Sequence, residues 1–377
     1  MNVTVRLGRI AGIPIGMHWS ALIGIGLLTQ LLAMTVLPTL VPGAGRTGYW
    51  VAGAAAAVAL LASLLAHELA HSISARRAGL NVRRITLWLL GGVSELVDQP
   101  HDPDEEVRIA AVGPATSVLL GSVFGVAVTV VDDLGLPPLV GGALSFLATT
   151  NVVLGVFNLL PGTPLDGGRV LHGLWWRRTG SRARATRAAS TAGRALGSLM
   201  VGFGAMLAMT GRLDGLWLAM IGWFVAGSAN AEQQVAATTA SLSGVRVGDI
   251  MSRPAEVVPQ WWTVDALLGP LTEGALRHRR FPVTDLEGRP VGTLRLSDIA
   301  RCSPDTRGST TLGTLARPLP EGHVIEADTP VDTVLRFPPR PADLLVVVEA
   351  GRVTGVLTAS DIARAVEVAA LAEPVNR

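Results

Sequence analysis

Residues 66–72 read Ala66-His67-Glu68-Leu69-Ala70-His71-Ser72 and sit inside a continuous apolar run, residues 49–74. About 20 apolar residues suffice to cross a bilayer as a helix. At helical spacing the two histidines are i and i+4, so both leave one face and can share a metal ion. Glu68 follows the first histidine and points near the same place, where it can take a proton from metal-bound water. An ionisable side chain inside a span costs roughly 2.5 kcal/mol or more near the bilayer centre. Three such groups within five positions therefore demand a compensating partner. The competing reading is a helix end whose polar residues face cytoplasmic water, since Arg76 and Arg77 follow closely.

The rest of the chain supports a membrane setting as far as about residue 231. Hydrophobic residues make up 49% of the 377 positions and charged residues only 16%, against about 25% in an average soluble protein. That deficit argues against an ordinary soluble enzyme and against a disordered chain. Aromatics are scarce, at 5%, so the apolar character comes from small and aliphatic residues, as in closely packed membrane helices. Six runs are long enough to span: 19–40, 49–74, 109–131, 140–160, 190–210 and 213–231. The fifth carries Arg194, and the sixth has Asp214 at its start. About 18 mixed residues precede the first run and no Ala-x-Ala site follows it, unlike a cleavable signal. A net charge of +2 gives no nucleic-acid signature, and the 31 basic residues are all Arg. The single cysteine, Cys302, excludes an internal disulfide and a cysteine-rich metal site.

Arginine placement predicts orientation. Arg6 and Arg9 precede the first span, five arginines lie between spans two and three, and six lie between four and five. The other connections carry few, so both termini are expected to be cytoplasmic in a multi-pass protein of the plasma membrane. Residues 232–244 read as a polar linker. Beyond it, Ser297-Asp298-Ile299-Ala300-Arg301 recurs as Ser360-Asp361-Ile362-Ala363-Arg364, 63 residues on, each copy preceded by a strand–turn–strand pattern. Residues 82–97 are too short to span and contain Gly91-Gly92. They predict a β-hairpin dipping into the membrane, tolerated only against protein or a wet cavity.

A hydrolytic zinc site needs three protein ligands and one open position. The candidate third ligand is Asp166, in Asn158-Leu159-Leu160-Pro161-Gly162-Thr163-Pro164-Leu165-Asp166-Gly167-Gly168-Arg169. The prolines break span four near its cytoplasmic end, on the membrane side of the histidines. Zn²⁺ with two neutral imidazoles, one carboxylate and one hydroxide is formally neutral, which low-dielectric surroundings tolerate far better than a lone anion. Alone, an Asp before Gly-Gly could equally be a turn or helix cap.

Together these features resemble the site-2 protease family of intramembrane zinc metallopeptidases, on the HELAH helix, the Gly-Gly hairpin, Gly113-Pro114 and the Asn158–Arg169 run. The repeat after residue 245 resembles a CBS pair. The likeness is to the bacterial branch with a C-terminal CBS tandem, similar to mycobacterial Rip-type proteases. It implies a polytopic α-helical membrane protein of about six spans with a membrane-associated β-hairpin, plus a soluble α/β CBS pair. The domains expected are 1–231, a transmembrane metalloprotease, and 245–377, the CBS tandem. The resemblance implies one Zn²⁺ on His67, His71 and Asp166, with Glu68 catalytic. It also implies Asn158 in contact with the substrate backbone or oxyanion, whereas Asn151 is expected to make an interhelical hydrogen bond. The hairpin, with Gly91 and Gly92, is the candidate strand for an unwound substrate, or else a scaffold closing the cavity. Asp298, Thr358 and Asp361 are candidate contacts for an adenine nucleotide, with a ligand-free dimerisation module as the alternative. The implied substrate is a single-span membrane protein such as an anti-sigma factor. A CBS-regulated transporter or channel is the runner-up. It would need a polar path through several spans and an inverted repeat, and neither is visible.

Overall fold

The computed structural model describes residues 4–372 apart from 90, 97, 99, 243, 275, 277, 321 and 336–343. It divides into two compact units, Met1–Gln234 and Val235–Arg377.

The first unit combines helices with one small sheet. The strands are β1 (Val5–Ile10), β2 (Ile13–Met17), β3 (Val82–Trp88) and β4 (Gly91–Leu96). The helices are α1 (Ser20–Leu40), α2 (Arg46–Arg77), α3 (Pro103–Asp133), α4 (Pro138–Asn158), α5 (Asp166–Thr179), α6 (Arg182–Met209) and α7 (Asp214–Ser241). Local signals set several boundaries. Asp102 accepts from the Glu105 backbone N–H at 2.8 Å, and Pro103 follows at the first helical position, so α3 starts there. Gly180, with φ +64°, ends α5 in the left-handed conformation that favours glycine.

Among the described residues, α1, α2, α3, α4 and α6 are long and apolar enough to cross a membrane. Large apolar side chains on them point outward: Leu199 is 72% exposed and Val126 64%. Water does not favour such a surface, and lipid does. The sixth expected span, 213–231, differs. It is helical within α7 but falls outside the span-length apolar set, because Asp214 precedes its apolar stretch and Asn230, Glu232 and Gln233 close it. The stretch expected as a linker also continues α7 to Ser241. Its Ala- and Gln-rich composition favours helix over coil.

The expected hairpin is present as β3 and β4, paired antiparallel, although residue 97 lies outside the described residues. It is half of a larger sheet in the order β1-β2-β3-β4. β1 and β2 form a second hairpin, and β2 pairs with β3 in parallel. The β1–β2 turn is Ala11-Gly12 with φ +49° and +76°, the two-residue geometry whose twist suits a hairpin. An Arg76 guanidinium from the last turn of α2 donates to the Ala11 carbonyl, tying that turn to the helix end. One face of the sheet is core, with Ile13, Ile15, Ile85 and Leu87 buried.

The second unit carries the repeat. Its first copy runs β5 (Val258–Pro259), α8 (Val264–Thr272), β6 (Arg280–Thr284), β7 (Pro290–Arg295) and α9 (Leu296–Ile299). Its second runs β8 (Val324–Glu326), α10 (Val331–Leu335), β9 (Leu345–Glu349), β10 (Arg352–Leu357) and α11 (Ala359–Ala372). Each copy builds a three-stranded sheet of one parallel and one antiparallel pair. Leu242, Val247 and Met251, which precede the first copy in sequence, fill the core of the second with Val347 and Leu357. The copies are therefore interlocked.

Candidate metal centre

The HELAH segment lies in the C-terminal half of α2, where His67 and His71 are both buried. Their Nε2 atoms lie 3.2 Å apart, and Asp166 Oδ2 lies 3.1 Å from the first and 3.3 Å from the second. Asp166 reaches this point as the first residue of α5, after the turn containing Pro161 and Pro164. Gly167 and Gly168 face the backbone of Leu159 and Gly162 so closely that a side chain would collide there.

Hydrogen bonding on the far side of each ring fixes the chemistry at the centre. His71 Nδ1 donates to the Ile109 carbonyl at 2.7 Å, and His67 Nδ1 shares a hydrogen bond with Ser117 Oγ at 2.9 Å. A proton on each Nδ1, required at His71 by the carbonyl and accommodated at His67 by the hydroxyl, leaves both Nε2 atoms with lone pairs. Two nitrogen lone pairs and a carboxylate oxygen then converge on one point, which repels unless a cation lies between them. Zinc bonds of 2.0–2.1 Å at tetrahedral angles put neighbouring ligand atoms about 3.3 Å apart. The three separations found here fit that spacing, and two imidazoles with one carboxylate are a zinc donor set.

Helix α3 completes the site through a residue with no side chain. A Cβ built on Gly113 would collide with His71 Nε2 and lie 2.8 Å from His67 Nε2. Glycine is what lets α3 pass this close to the metal position.

Glu68 stands beside the three ligands and is not one of them. Its Oε2 accepts from Ser94 Oγ at 2.5 Å. Ser94 lies on β4, and a Cβ on the neighbouring Gly92 would come within 2.5 Å of Glu68 Cγ. Gly91 has φ +135° and open space around its Cβ position. A cavity of about 580 Å³ joins His67, Glu68, His71, Gly91, Gly92 and Asp166. Asn158 lines it from the last residue of α4. One cavity thus brings together His67, Glu68, His71, Gly91, Gly92, Asn158 and Asp166.

Four residues escaped the sequence reading. Ser117 and Ile109 are 50 and 38 positions from the imidazoles that they hold, and Ser94 is 26 from Glu68. Glu232 lines the cavity from α7. Its signal was helical spacing: Val225 and Ala229, both buried, precede it by seven and three residues. Asn151 corrects an expectation. Its Nδ2 bonds the Leu147 carbonyl of its own helix at 2.9 Å, not a neighbouring helix. At four residues' separation a short amide side chain reaches its own helix's backbone first. His18 bonds Ser20 Oγ at 2.8 Å and takes no part in the ligand group.

Comparison with known proteins places this geometry. Residues 55–134 and 139–200 match the family model for peptidase family M50. A protein named as zinc metalloprotease Rip3 of Mycobacterium tuberculosis is 40% identical over 99% of this chain and 95% of its own length. The chain belongs to the M50, or site-2 protease, family. Other relatives are a zinc metalloprotease of Synechocystis, 27% identical over 98% of this chain and 97% of its own, and one of Methanocaldococcus jannaschii, 28% identical over the full length of both. Residues 247–305 match the CBS domain model. The protein is accordingly a zinc metalloprotease of the M50 family, with membrane-type helices and a CBS pair.

In the CBS unit the candidate nucleotide residues are engaged internally. Arg317 binds Asp298 through two hydrogen bonds, of 2.7 and 3.1 Å, and these hold its carboxyl below the usual carboxylate range. Asp361 is buried, and it accepts from Ser252 Oγ at 2.7 Å and from the Thr358 hydroxyl and backbone N–H at 2.7 and 2.9 Å.

Proposed function

We propose that this protease hydrolyses peptide bonds within or near the transmembrane segments of membrane-bound regulators, as in regulated intramembrane proteolysis. The observation that carries the proposal is the His67–His71–Asp166 cluster, with both histidines buried, and beside it in one cavity a non-ligating carboxylate, Glu68, and an edge strand. When bound, zinc supplies Lewis acidity, which acidifies the attacking water and polarises the scissile carbonyl. Glu68 accepts the proton of that water and later delivers it to the leaving amine. Ser94 holds the carboxylate in place through these transfers. The Asn158 amide, at the cavity wall, donates to the carbonyl oxygen as negative charge develops there.

A transmembrane helix hides its peptide groups in internal hydrogen bonds, so the substrate must unwind before attack. Among the described residues β4 is an end strand of its sheet, paired on one side only, with β3. Its other edge can take an extended segment by strand addition. Gly91 and Gly92 keep that edge free of side chains where it meets the cavity. The arginine distribution supports cytoplasmic termini in the plasma membrane, with the CBS pair as a regulatory or dimerising module. The Thr358–Asp361 stretch supports an adenine nucleotide there, which would compete with the internal hydrogen bonds of Asp361.

The test is co-expression of the full chain with candidate single-span membrane proteins, anti-sigma factors first, followed by sequencing of any fragment. A cut at or within the span is expected. It should vanish in purified protein treated with a zinc chelator and return with added zinc. Cuts confined to extramembrane loops would contradict the proposal.

A further inference from the structure

A second cavity, of about 680 Å³, lies on the four-stranded sheet and is lined by Arg6, Arg9, Arg83 and Arg84 around Pro14 and Gly16. Strand register explains it. β1 pairs with β2 through Arg6 opposite Gly16 and Arg9 opposite Pro14, with a bulge between Arg6 and Gly8. The extra residue, Leu7, turns two side chains three positions apart onto one face. β2 pairs with β3 through Ile15 opposite Ile85 and Gly16 opposite Thr86, which puts Arg84 on that face as well. Pro14 and Gly16 form a low floor between arginine-bearing flanking strands. The opposite face is the buried one, carrying Ile13, Ile15, Ile85 and Leu87.

Among the described residues, no hydrogen bond or ion pair occupies the guanidinium of Arg6, Arg9 or Arg83. Like charges gathered around a concavity call for an anion, and guanidinium forks suit phosphate oxygens. The position of the trough selects the kind of phosphate. β2 ends at Met17, three residues before α1 begins, and β3 starts five residues after α2 ends. The sheet is strung between the ends of two helices long enough to span. Trp19 at the head of α1 is 55% exposed, as expected of a residue at a membrane interface. Val5, Leu7 and Ile10 on β1 are also exposed, at 43%, 51% and 46%. We propose that the trough flanked by Arg6 and Arg9 binds the phosphate headgroup of an anionic lipid, with apolar side chains of β1 against its acyl chains. The sheet that carries β4 would thereby be seated on the bilayer surface. The proposal needs the membrane helices but not the metal centre.

The test is lipid binding to the full chain in neutral detergent, followed by native mass spectrometry, with phosphatidylglycerol, phosphatidylcholine and inorganic phosphate as separate probes. Phosphatidylglycerol is expected to bind more tightly than phosphatidylcholine, and excess inorganic phosphate to leave it in place. Arg6→Gln with Arg9→Gln should weaken phosphatidylglycerol binding about 5-fold for each arginine removed. Arg6→Lys with Arg9→Lys should retain most of it, and Arg187→Gln, an exposed arginine elsewhere, should change nothing. Zinc content, read on every variant, separates this result from the fate of the protease reading. Unchanged binding in the double Gln variant, or equal loss in Arg187→Gln, overturns the site. Displacement by inorganic phosphate overturns the lipid assignment.

Discussion

Glu68→Gln should cut peptide hydrolysis by about 10²–10⁴-fold, the usual worth of a general base. Zinc content should stay at the wild-type level. The two halves of this expectation follow from separate facts. Glu68 lies outside the three-atom ligand cluster, so its charge is not needed to hold the metal. Gln has the same shape, so it fits beside Gly92 and can still accept from Ser94. What it lacks is a basic oxygen able to take the water's proton. Initial rates of fragment formation, read beside metal analysis of the same preparation, check both halves. Cleavage within a few-fold of wild type would remove Glu68 from the mechanism. Zinc lost together with activity would make it a ligand.

Gly113→Ala should abolish zinc binding and activity together. The added methyl would collide with His71 Nε2 and lie 2.8 Å from His67 Nε2, in the space where the ligand atoms converge. Neither ring can swing away cheaply, because both Nδ1 atoms are tied to α3 itself, through Ser117 and Ile109. Moving α3 back to clear the methyl would drag both imidazoles with it. Gly125→Ala, further along the same helix with open space around its Cβ position, is the matched control. It should keep full zinc and be neutral or slightly stabilised, since alanine is the better helix former by roughly 1 kcal/mol. Metal analysis of the two variants checks the expectation, and a zinc-replete Gly113→Ala would refute it.

What was legible from residues alone tracks how local each signal is. The i, i+4 histidines declare themselves within one turn of helix, and the CBS copies declare themselves by repetition. Asp166 is 99 residues from His67 and was legible only through the prolines that end span four and the shared membrane side. Ser117, Ile109 and Ser94 carry no such mark. A serine or a backbone carbonyl is unremarkable until tertiary packing brings it to a ring nitrogen or a carboxylate. The β1–β2 hairpin was missed for a different reason. The bulge at Leu7 breaks the two-residue alternation that marks a strand. The limit of α7 is subtler still. Its apolar stretch looked long enough to cross a bilayer, while its polar end carries Glu232 to the cavity.

Zinc-edge X-ray absorption on the purified full chain, with metal counted per protein, tests the central claim most directly. The arrangement of His67, His71 and Asp166 predicts one zinc per chain, with two imidazole nitrogens and a carboxylate oxygen at about 2.0–2.2 Å. A spectrum with fewer than two imidazoles, or with sulfur in the inner shell, would contradict it.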